Sequence, residues 1–149
     1  KKHEIPLINI VRQEDQIDTL KDIGAEHVLN SKSYTFKKDL AELAASLNAT
    51  GYFDPVGGDI TTTVMDLLPP MSQVYLFDNL SGKKLTLDTL SFIFTEKTIS
   101  SINVGTWMQR QTPEKMGEII GEIAEDLAMG GEVYGTSVYK SYSLKDFKK

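Results

Sequence analysis

Apolar runs that resemble buried strands recur along this chain at nearly constant intervals, and this repeat limits the possible folds more than any other feature. The runs begin near residues 5, 27, 51, 73 and 98. The distance from one run to the next is roughly 22 to 25 residues, too long for hairpins and suited to a parallel crossover through a helix. The repeat therefore predicts an α/β fold with a doubly wound, mostly parallel, Rossmann-like sheet and helices on both faces.

Local patterns within these intervals predict individual elements. The first run, Ile5–Val11, is almost continuously apolar, which is typical of a strand buried on both faces. Thr112 followed by Pro113 predicts a helix start, with a hydroxyl at the cap and proline in the first helical position. Thr98–Trp107 predicts a fifth strand with a tail, and the weak alternation in Glu132–Lys149 is compatible with one more strand.

Composition excludes several classes of function. The chain has 149 residues, the length of one domain, and its net charge of −5 without a basic stripe argues against nucleic acid as a partner. With no cysteine and only two histidines, neither a disulfide framework nor an all-protein metal site is expected. No apolar run approaches about 18 residues and no signal peptide is recognisable. We therefore expect no membrane span and no secretion, and a cytoplasmic or mitochondrial location.

The predicted topology places four segments at one edge of the sheet. Ligands of such sheets bind at the carboxyl ends of the strands, and the segments that follow the predicted strands are Arg12, Pro55–Gly58, Phe77–Leu80 and Ile102–Val104. A Gly-Gly turn before a helix start can bring the backbone close to a phosphate or a nicotinamide, although plain strand-to-helix loops contain the same pattern. The candidate site is therefore this edge.

Four segments of the chain together resemble those of a known family. They are LINIVRQEDQIDTLKDIGAEHVLN, FDPVGGD, VYLFDNLSG, and DTLSFIFTEKTISSINVGTW followed by TPEKMGEIIGEI. In order and spacing they resemble the medium-chain dehydrogenase/reductase superfamily, in its zinc-free branch of quinone oxidoreductases and 2-enoyl thioester reductases. The family's first strand and glycine-rich phosphate loop would precede Ile5. The resemblance thus implies a partial dinucleotide-binding domain over residues 1–131, and a segment over residues 132–149 that leads back toward a catalytic domain.

The resemblance implies the NADPH-binding portion of a zinc-independent oxidoreductase. Such an enzyme reduces a small-molecule substrate, a quinone or an α,β-unsaturated carbonyl or enoyl thioester, by hydride transfer. Arg12 occupies the position where an arginine accepts the 2′-phosphate of NADP and an acid would select NAD. We expect no catalytic residue in this chain. The expected cofactor contacts are Arg12, Val56, Gly57, Gly58, Phe77, Asp78, Asn79, Leu80, Ile102, Asn103 and Val104.

Two alternatives stay open. A non-catalytic nucleotide-binding or scaffold module could keep the same fold, and a methyltransferase-like sheet is disfavoured because no acid follows Val11. The resemblance also implies that Thr98–Val104 forms the outer edge of the sheet and pairs with its mate in a homodimer.

The strand order 3-2-1-4-5-6 leaves a vacancy in the middle of this sheet. The absent first strand would lie between Ile5–Val11 and Tyr52–Asp54, and each buried backbone group left unpaired there costs on the order of 1–3 kcal/mol. We therefore expect Ile8–Val11 to pair with another segment, with Glu132–Tyr139 as the best internal candidate.

Overall fold

The computed structural model describes residues 5–136, 141–143 and 145, and it divides into two compact units. The first unit ends at Val104 and the second begins at Gly105. Strands and helices alternate in the first unit, and their bounds are β1 Ile8–Val11, α1 Glu14–Asp22, β2 His27–Asn30, α2 Phe36–Ser46, β3 Gly51–Asp54, α3 Asp59–Leu67, β4 Gln73–Leu76, α4 Thr89–Phe94 and β5 Thr98–Ser101. Two further helices follow, α5 Val104–Gln109 and α6 Pro113–Ala128.

Every strand pair in the described residues is parallel. β1 pairs with β2, and β4 lies between β3 and β5. The register puts Ile8 opposite His27 in the first pair, and Gly51 opposite Gln73, which in turn lies opposite Thr98. These crossovers confirm the predicted α/β, Rossmann-like architecture in its partial form.

β1 and β3 remain apart, so the sheet is in two pieces. Among the described residues β1 pairs only with β2, and the predicted pairing of Ile8–Val11 with another segment is wrong. In the candidate segment, Glu132–Tyr134 forms a turn, because the Asp126 carboxylate accepts the backbone N–H groups of Val133 and Tyr134. Residues 137–140 of that segment lie outside the described residues.

The first strand is shorter and less buried than predicted. The prediction that Ile5–Val11 is buried on both faces is wrong, because Ile5 and Leu7 are 70% and 63% exposed and β1 is only half-buried. Ile5 and Leu7 precede β1, which begins at Ile8, so they lie outside the paired strand.

The hydrophobic core of the first unit lies between α2, α3 and one face of the strands. Its buried members are Phe36, Leu40, Ala44, Val64 and Leu68, and half-buried side chains that pack against them include Ile8, Ile10, Leu29, Tyr52 and Ile60. The core therefore connects the two pieces of the sheet through the α2–α3 pair.

The carboxyl end of α3 is capped by a buried lysine. Lys97 is 6% exposed, and its Nζ donates to the Met65 carbonyl at 2.6 Å. Burial lowers the pKa of Lys97, and the nearby Asp66 carboxylate opposes that shift. A cation on the last carbonyls of a helix stabilises its negative end.

The segment after β5 differs from its prediction. Thr98–Trp107 was expected to be a strand with a tail, but the strand ends at Ser101 and Val104–Gln109 is helical. The last ladder bond runs from the Ile102 N–H to the Leu76 carbonyl at 2.8 Å. Because β4 ends at Leu76, the residues after Ile102 have no partner strand to follow.

The start of α6 is as predicted. The Thr112 side chain accepts the Lys115 backbone N–H at 3.2 Å, and Pro113 occupies the first turn.

Within the described part of the chain, none of the helices is long and apolar enough to cross a membrane.

Candidate functional site

A cleft of about 820 Å³ lies in the first unit, between β1 and β3. Four of the residues predicted from the sequence line this cleft, Arg12, Val56, Gly57 and Leu80. Arg12 follows β1 and the Val56–Gly57 turn follows β3, so the carboxyl ends of two strands contribute to one site. This is the edge at which open α/β sheets bind ligands.

A buried carboxylate shapes the turn after β3. Asp54 is fully buried, and its Oδ1 accepts the backbone N–H groups of Val56 at 2.8 Å and Gly57 at 3.2 Å. Its other oxygen accepts the Thr61 hydroxyl. Charge-assisted hydrogen bonds of this kind are about twice as strong as neutral ones, so Asp54 fixes the turn to α3.

Sequence reasoning placed Asp54 only as the last residue of a strand. The pattern that could have identified its role is an aspartate at a strand end followed by Pro-x-Gly, since an aspartate side chain commonly binds backbone N–H groups two residues on.

The two glycines of the turn are required by a neighbouring loop of the protein. Both have positive φ, +73° at Gly57 and +70° at Gly58. A Cβ at Gly57 would lie 2.5 Å from Asn79 Oδ1, and one at Gly58 would lie 2.9 Å from Ser81 Oγ and 2.8 Å from Lys83 Cβ. The close approach that these glycines permit is therefore made by the loop after β4.

The loop after β4 is hydrogen-bonded to the turn after β3. The backbone N–H of Leu80 donates to the Pro55 carbonyl at 3.0 Å, and that of Ser81 donates to the Val56 carbonyl at 2.8 Å. Lys83 Nζ lies 2.6 Å from Asp59 Oδ2 at the start of α3. The turn, the loop and the helix start thus form one wall of the cleft.

The opposite wall carries the cation predicted to select the cofactor. Arg12 is exposed, and its backbone N–H donates to Gln16 Oε1 at 3.0 Å. Among the described residues its guanidinium makes no ion pair within 4.0 Å. Glu14 accepts Asn30 Nδ2 at 2.5 Å, so this nearby acid has a partner of its own. The Arg12 side chain is available to an anion.

The other predicted contacts do not line the cleft, and they are Gly58, Phe77, Asp78, Asn79, Ile102, Asn103 and Val104. Gly58 is buried behind the turn. The Asp78 carboxylate accepts the Asn79 backbone N–H at 2.7 Å, so it caps its own loop. Val104 is the first residue of α5 and is 58% exposed.

Comparison with known proteins gives the family. A family model described as zinc-binding dehydrogenase matches residues 1–125. The chain belongs to this family, within the medium-chain dehydrogenase/reductase superfamily. No match was found among curated proteins.

Solved structures with a similar fold include three oxidoreductases. A provisionally assigned NADPH:quinone reductase from Mesorhizobium loti is 30% identical, with a TM-score of 0.74 over 83% of this chain and 36% of that one. One from Bacillus thuringiensis is 18% identical, with a TM-score of 0.78 over 94% and 42%. The mitochondrial 2-enoyl thioester reductase Etr1p/Etr2p heterodimer from Candida tropicalis is 21% identical, with a TM-score of 0.69 over 88% and 38%. The chain thus spans less than half the length of these proteins.

The described residues do not fit a metal ion. They contain no group of three or more His, Cys, Asp or Glu side chains that could hold one. His27 lies 4.0 Å from Glu26 and has no further candidate ligand beside it in that pair. We therefore assign no step of any reaction to a metal held by these residues.

Proposed function

We propose that this chain is the NADPH-binding portion of a zinc-independent oxidoreductase that transfers a hydride to a quinone or to an α,β-unsaturated carbonyl or enoyl thioester. The observation that supports it most is that Arg12 and the Val56–Gly57 turn line the same cleft at the carboxyl ends of β1 and β3. The names of the similar structures, NADPH:quinone reductase and 2-enoyl thioester reductase, agree with this class of reaction.

Arg12 would bind the 2′-phosphate of the cofactor. A guanidinium presents planar paired donors that match a phosphate, and this one makes no ion pair with the described residues. The second cation on the cleft, Lys83, already pairs with Asp59. An anion at the β1 end of the cleft would therefore contact the unpaired Arg12 guanidinium rather than the paired Lys83 ammonium.

The turn after β3 would position the cofactor by its shape, since the Val56 and Gly57 N–H groups are already bonded to Asp54. Because Asp54 fixes the N–H groups of Val56 and Gly57, the turn keeps its shape when the cleft is empty or filled. Bound NADPH supplies the hydride, and this chain binds and orients it. Gly58, Phe77–Asn79 and Ile102–Val104 remain proposed contacts, and residues 132–149 are proposed to lead toward a catalytic domain.

We also propose a homodimer through β5 and a cytoplasmic or mitochondrial location. β5 pairs only with β4 among the described residues, so its other edge can accept a second strand. One of the similar structures is a mitochondrial heterodimer.

A cofactor titration followed by NMR tests the proposal even if binding is only millimolar. NADP⁺ and NAD⁺ are titrated separately into the chain, and shifts of the amides of Arg12, Val56 and Gly57 give each Kd. We expect NADP⁺ to bind more tightly, and Arg12→Ala to reduce that preference about tenfold by removing a charge-assisted contact to the 2′-phosphate.

The matched control is Lys21→Ala, which removes one exposed positive charge from the far end of α1. It should leave the preference unchanged. Equal losses for NADP⁺ and NAD⁺ in Arg12→Ala would show that Arg12 does not contact the 2′-phosphate. Shifts confined to residues outside the cleft would contradict the site.

A further inference from the structure

The lining of the cleft is more positive than the chain as a whole. The 149 residues carry a net charge of −5. Among the described residues that line the cleft, Arg12 and Lys83 are positively charged and only Asp59 is negatively charged. Arg12 follows β1, while Lys83 belongs to the loop after β4 on the opposite wall. A ligand that spans the cleft would therefore meet a cation on each wall.

The backbone of Lys83 is fixed beside the cleft. Its N–H donates to Ser81 Oγ at 3.2 Å, and the segment that follows is tied to α3, because the Thr62 hydroxyl donates to the Thr86 carbonyl at 2.6 Å. The stem of the Lys83 side chain lies against Gly58, where an added Cβ would be 2.8 Å from Lys83 Cβ. The end of this side chain is therefore the part that can move.

An acid holds that end of the side chain. Lys83 Nζ donates to Asp59 Oδ2 at 2.6 Å, and the two side chains are 63% and 78% exposed. An ion pair this exposed changes an equilibrium by no more than about fivefold, whereas a hydrogen bond from an ammonium to a phosphate changes one by about tenfold or more. A phosphate in the cleft can therefore take Lys83 from Asp59.

Asp59 also has a second source of stabilisation. It lies in the first turn of α3, where the positive end of the helix stabilises a carboxylate. When Lys83 turns to a ligand, the Asp59 carboxylate remains exposed to water and close to this helix end. The exchange of partners therefore leaves no buried charge without compensation.

We propose that Lys83 binds the diphosphate of the dinucleotide and that Asp59 competes with this ligand for the Lys83 ammonium. The inference rests on the proposed function, in which Arg12 binds the 2′-phosphate, and the diphosphate is the other anionic group of the same cofactor. Lysine binds phosphate oxygens as a point charge, which suits a group whose orientation the rest of the ligand sets. Lys83 thus contributes affinity that NAD⁺ and NADP⁺ share, and Arg12 contributes the preference between them.

Titration of NADP⁺ and NAD⁺ into matched lysine variants tests the contact, with each Kd taken from NMR shifts of the Val56 and Gly57 amides. Lys83→Gln should weaken both cofactors by the same factor, about tenfold. Lys84→Gln removes the same charge from the next residue, which is exposed and does not line the cleft, and it should change each Kd less than about twofold. A loss confined to NADP⁺ in Lys83→Gln, or an equal loss in Lys84→Gln, would overturn the proposal.

Asp59→Asn tests the competition. This variant removes the charge that holds Lys83 and keeps the size of the side chain, so both cofactors should bind about threefold to fivefold more tightly. Asp59 also repels an anion directly, and that part of the gain does not need Lys83. In the Lys83→Gln background the gain should therefore fall below about twofold. The same gain in both backgrounds would show that Asp59 does not compete for Lys83.

Inorganic diphosphate separates this inference from the proposed function. It is titrated into the original chain without nucleotide, and it should shift the side-chain NMR signals of Lys83 but not those of Lys84. No shift at Lys83 would overturn the inference. If Lys83→Gln weakens both cofactors while Arg12→Ala leaves the NADP⁺ preference unchanged, the Arg12 contact fails and the Lys83 contact stands. If Arg12→Ala reduces that preference while Lys83→Gln changes neither Kd, only the inference about Lys83 fails.

Discussion

At the scale of single residues, the turn after β3 combines a buried charge with two residues in a backbone region that side chains disfavour. Asp54 holds Val56 and Gly57 through its carboxylate, while Gly57 and Gly58 allow the loop after β4 to approach. A side chain at Gly57 or Gly58 would strain the backbone locally, and the free energy of unfolding of a substituted chain measures the cost of that strain.

We expect Gly58→Ala to destabilise the protein by about 1–3 kcal/mol. Its φ of +70° with ψ of −141° is a conformation open almost only to glycine, and a Cβ would lie 2.8 Å from Lys83. Gly51→Ala is the control, with free space around its Cβ, and should change the free energy of unfolding by less than about 0.5 kcal/mol. Urea unfolding measures both, and equal effects would contradict this explanation.

Tyr52 should make stability depend on alkaline pH. Burial, and then the negative charge of Asp54, raise the pKa of Tyr52 above its ordinary value of 10.0. The unfolded chain therefore releases this proton at a lower pH than the folded chain does, and stability falls as pH rises above about 10. At pH 11 the loss from Tyr52 is about 1 kcal/mol.

Unfolding at pH 9 and pH 11 of the original chain and of Tyr52→Phe tests this. Between pH 9 and pH 11, Tyr52→Phe should lose less free energy of unfolding than the original chain loses. Tyr34→Phe is the control, because that side chain is 99% exposed. The same loss in Tyr52→Phe as in the original chain would show that Tyr52 ionises alike in both states.

At the scale of elements, the sequence predicted which segments are strands better than what the strands pair with. Four of the five strands begin where their apolar runs predicted them, β1 begins at Ile8 rather than Ile5, and Thr112 with Pro113 starts α6 as expected. These features depend on local pattern and capping. The end of β5 could not be predicted locally, because it is set by where the neighbouring strand stops, at Leu76.

The outer edge of β5 should mediate the proposed homodimer through particular amides. The N–H groups of Thr98 and Ile102 donate to β4, at 3.0 and 2.8 Å, so the amides of Ile99 and Ser101 face outward. A second copy that pairs antiparallel along this edge would use those two. Slow exchange of the Ile102 amide would not report on the dimer, since that group is already bonded.

Ser101→Pro should prevent this association while keeping the fold, because proline is tolerated on an edge strand where its N–H would face solvent. Ser101→Ala keeps the N–H and is the control. Light scattering at high concentration should show a dimer for the original chain and for Ser101→Ala, and a monomer for Ser101→Pro. A dimer of Ser101→Pro with unchanged affinity would place the interface elsewhere.

At the scale of the whole molecule, the candidate site was predictable only in part. The sequence identified Arg12, Val56, Gly57 and Leu80, because topology alone sends the residues after each strand to one edge. It missed the role of Asp54, which depends on a buried contact with Thr61. It also predicted a pairing for β1 that a turn at Glu132–Tyr134, tied to Asp126, does not supply.

Burial is distributed unevenly between the two units. The buried hydrophobic side chains of the described residues, from Phe36 to Val74, all belong to the first unit. α6 has 16 residues and none of them is buried, and Ile120 and Leu127 are 59% and 51% exposed. A helix of this length is marginal without packing, so α6 should open at a much lower free energy than α3.

Hydrogen exchange should show this difference, and two glycines allow a specific test. Gly117 and Gly121 lie inside α6 with free space where a Cβ would be, and each disfavours the helix by about 1 kcal/mol relative to alanine. Gly117→Ala and Gly121→Ala should therefore each slow amide exchange in α6 about fivefold and leave the rates in α3 unchanged. If α6 were already as protected as α3, or if both helices slowed together, α6 would instead open only with the core of the first unit.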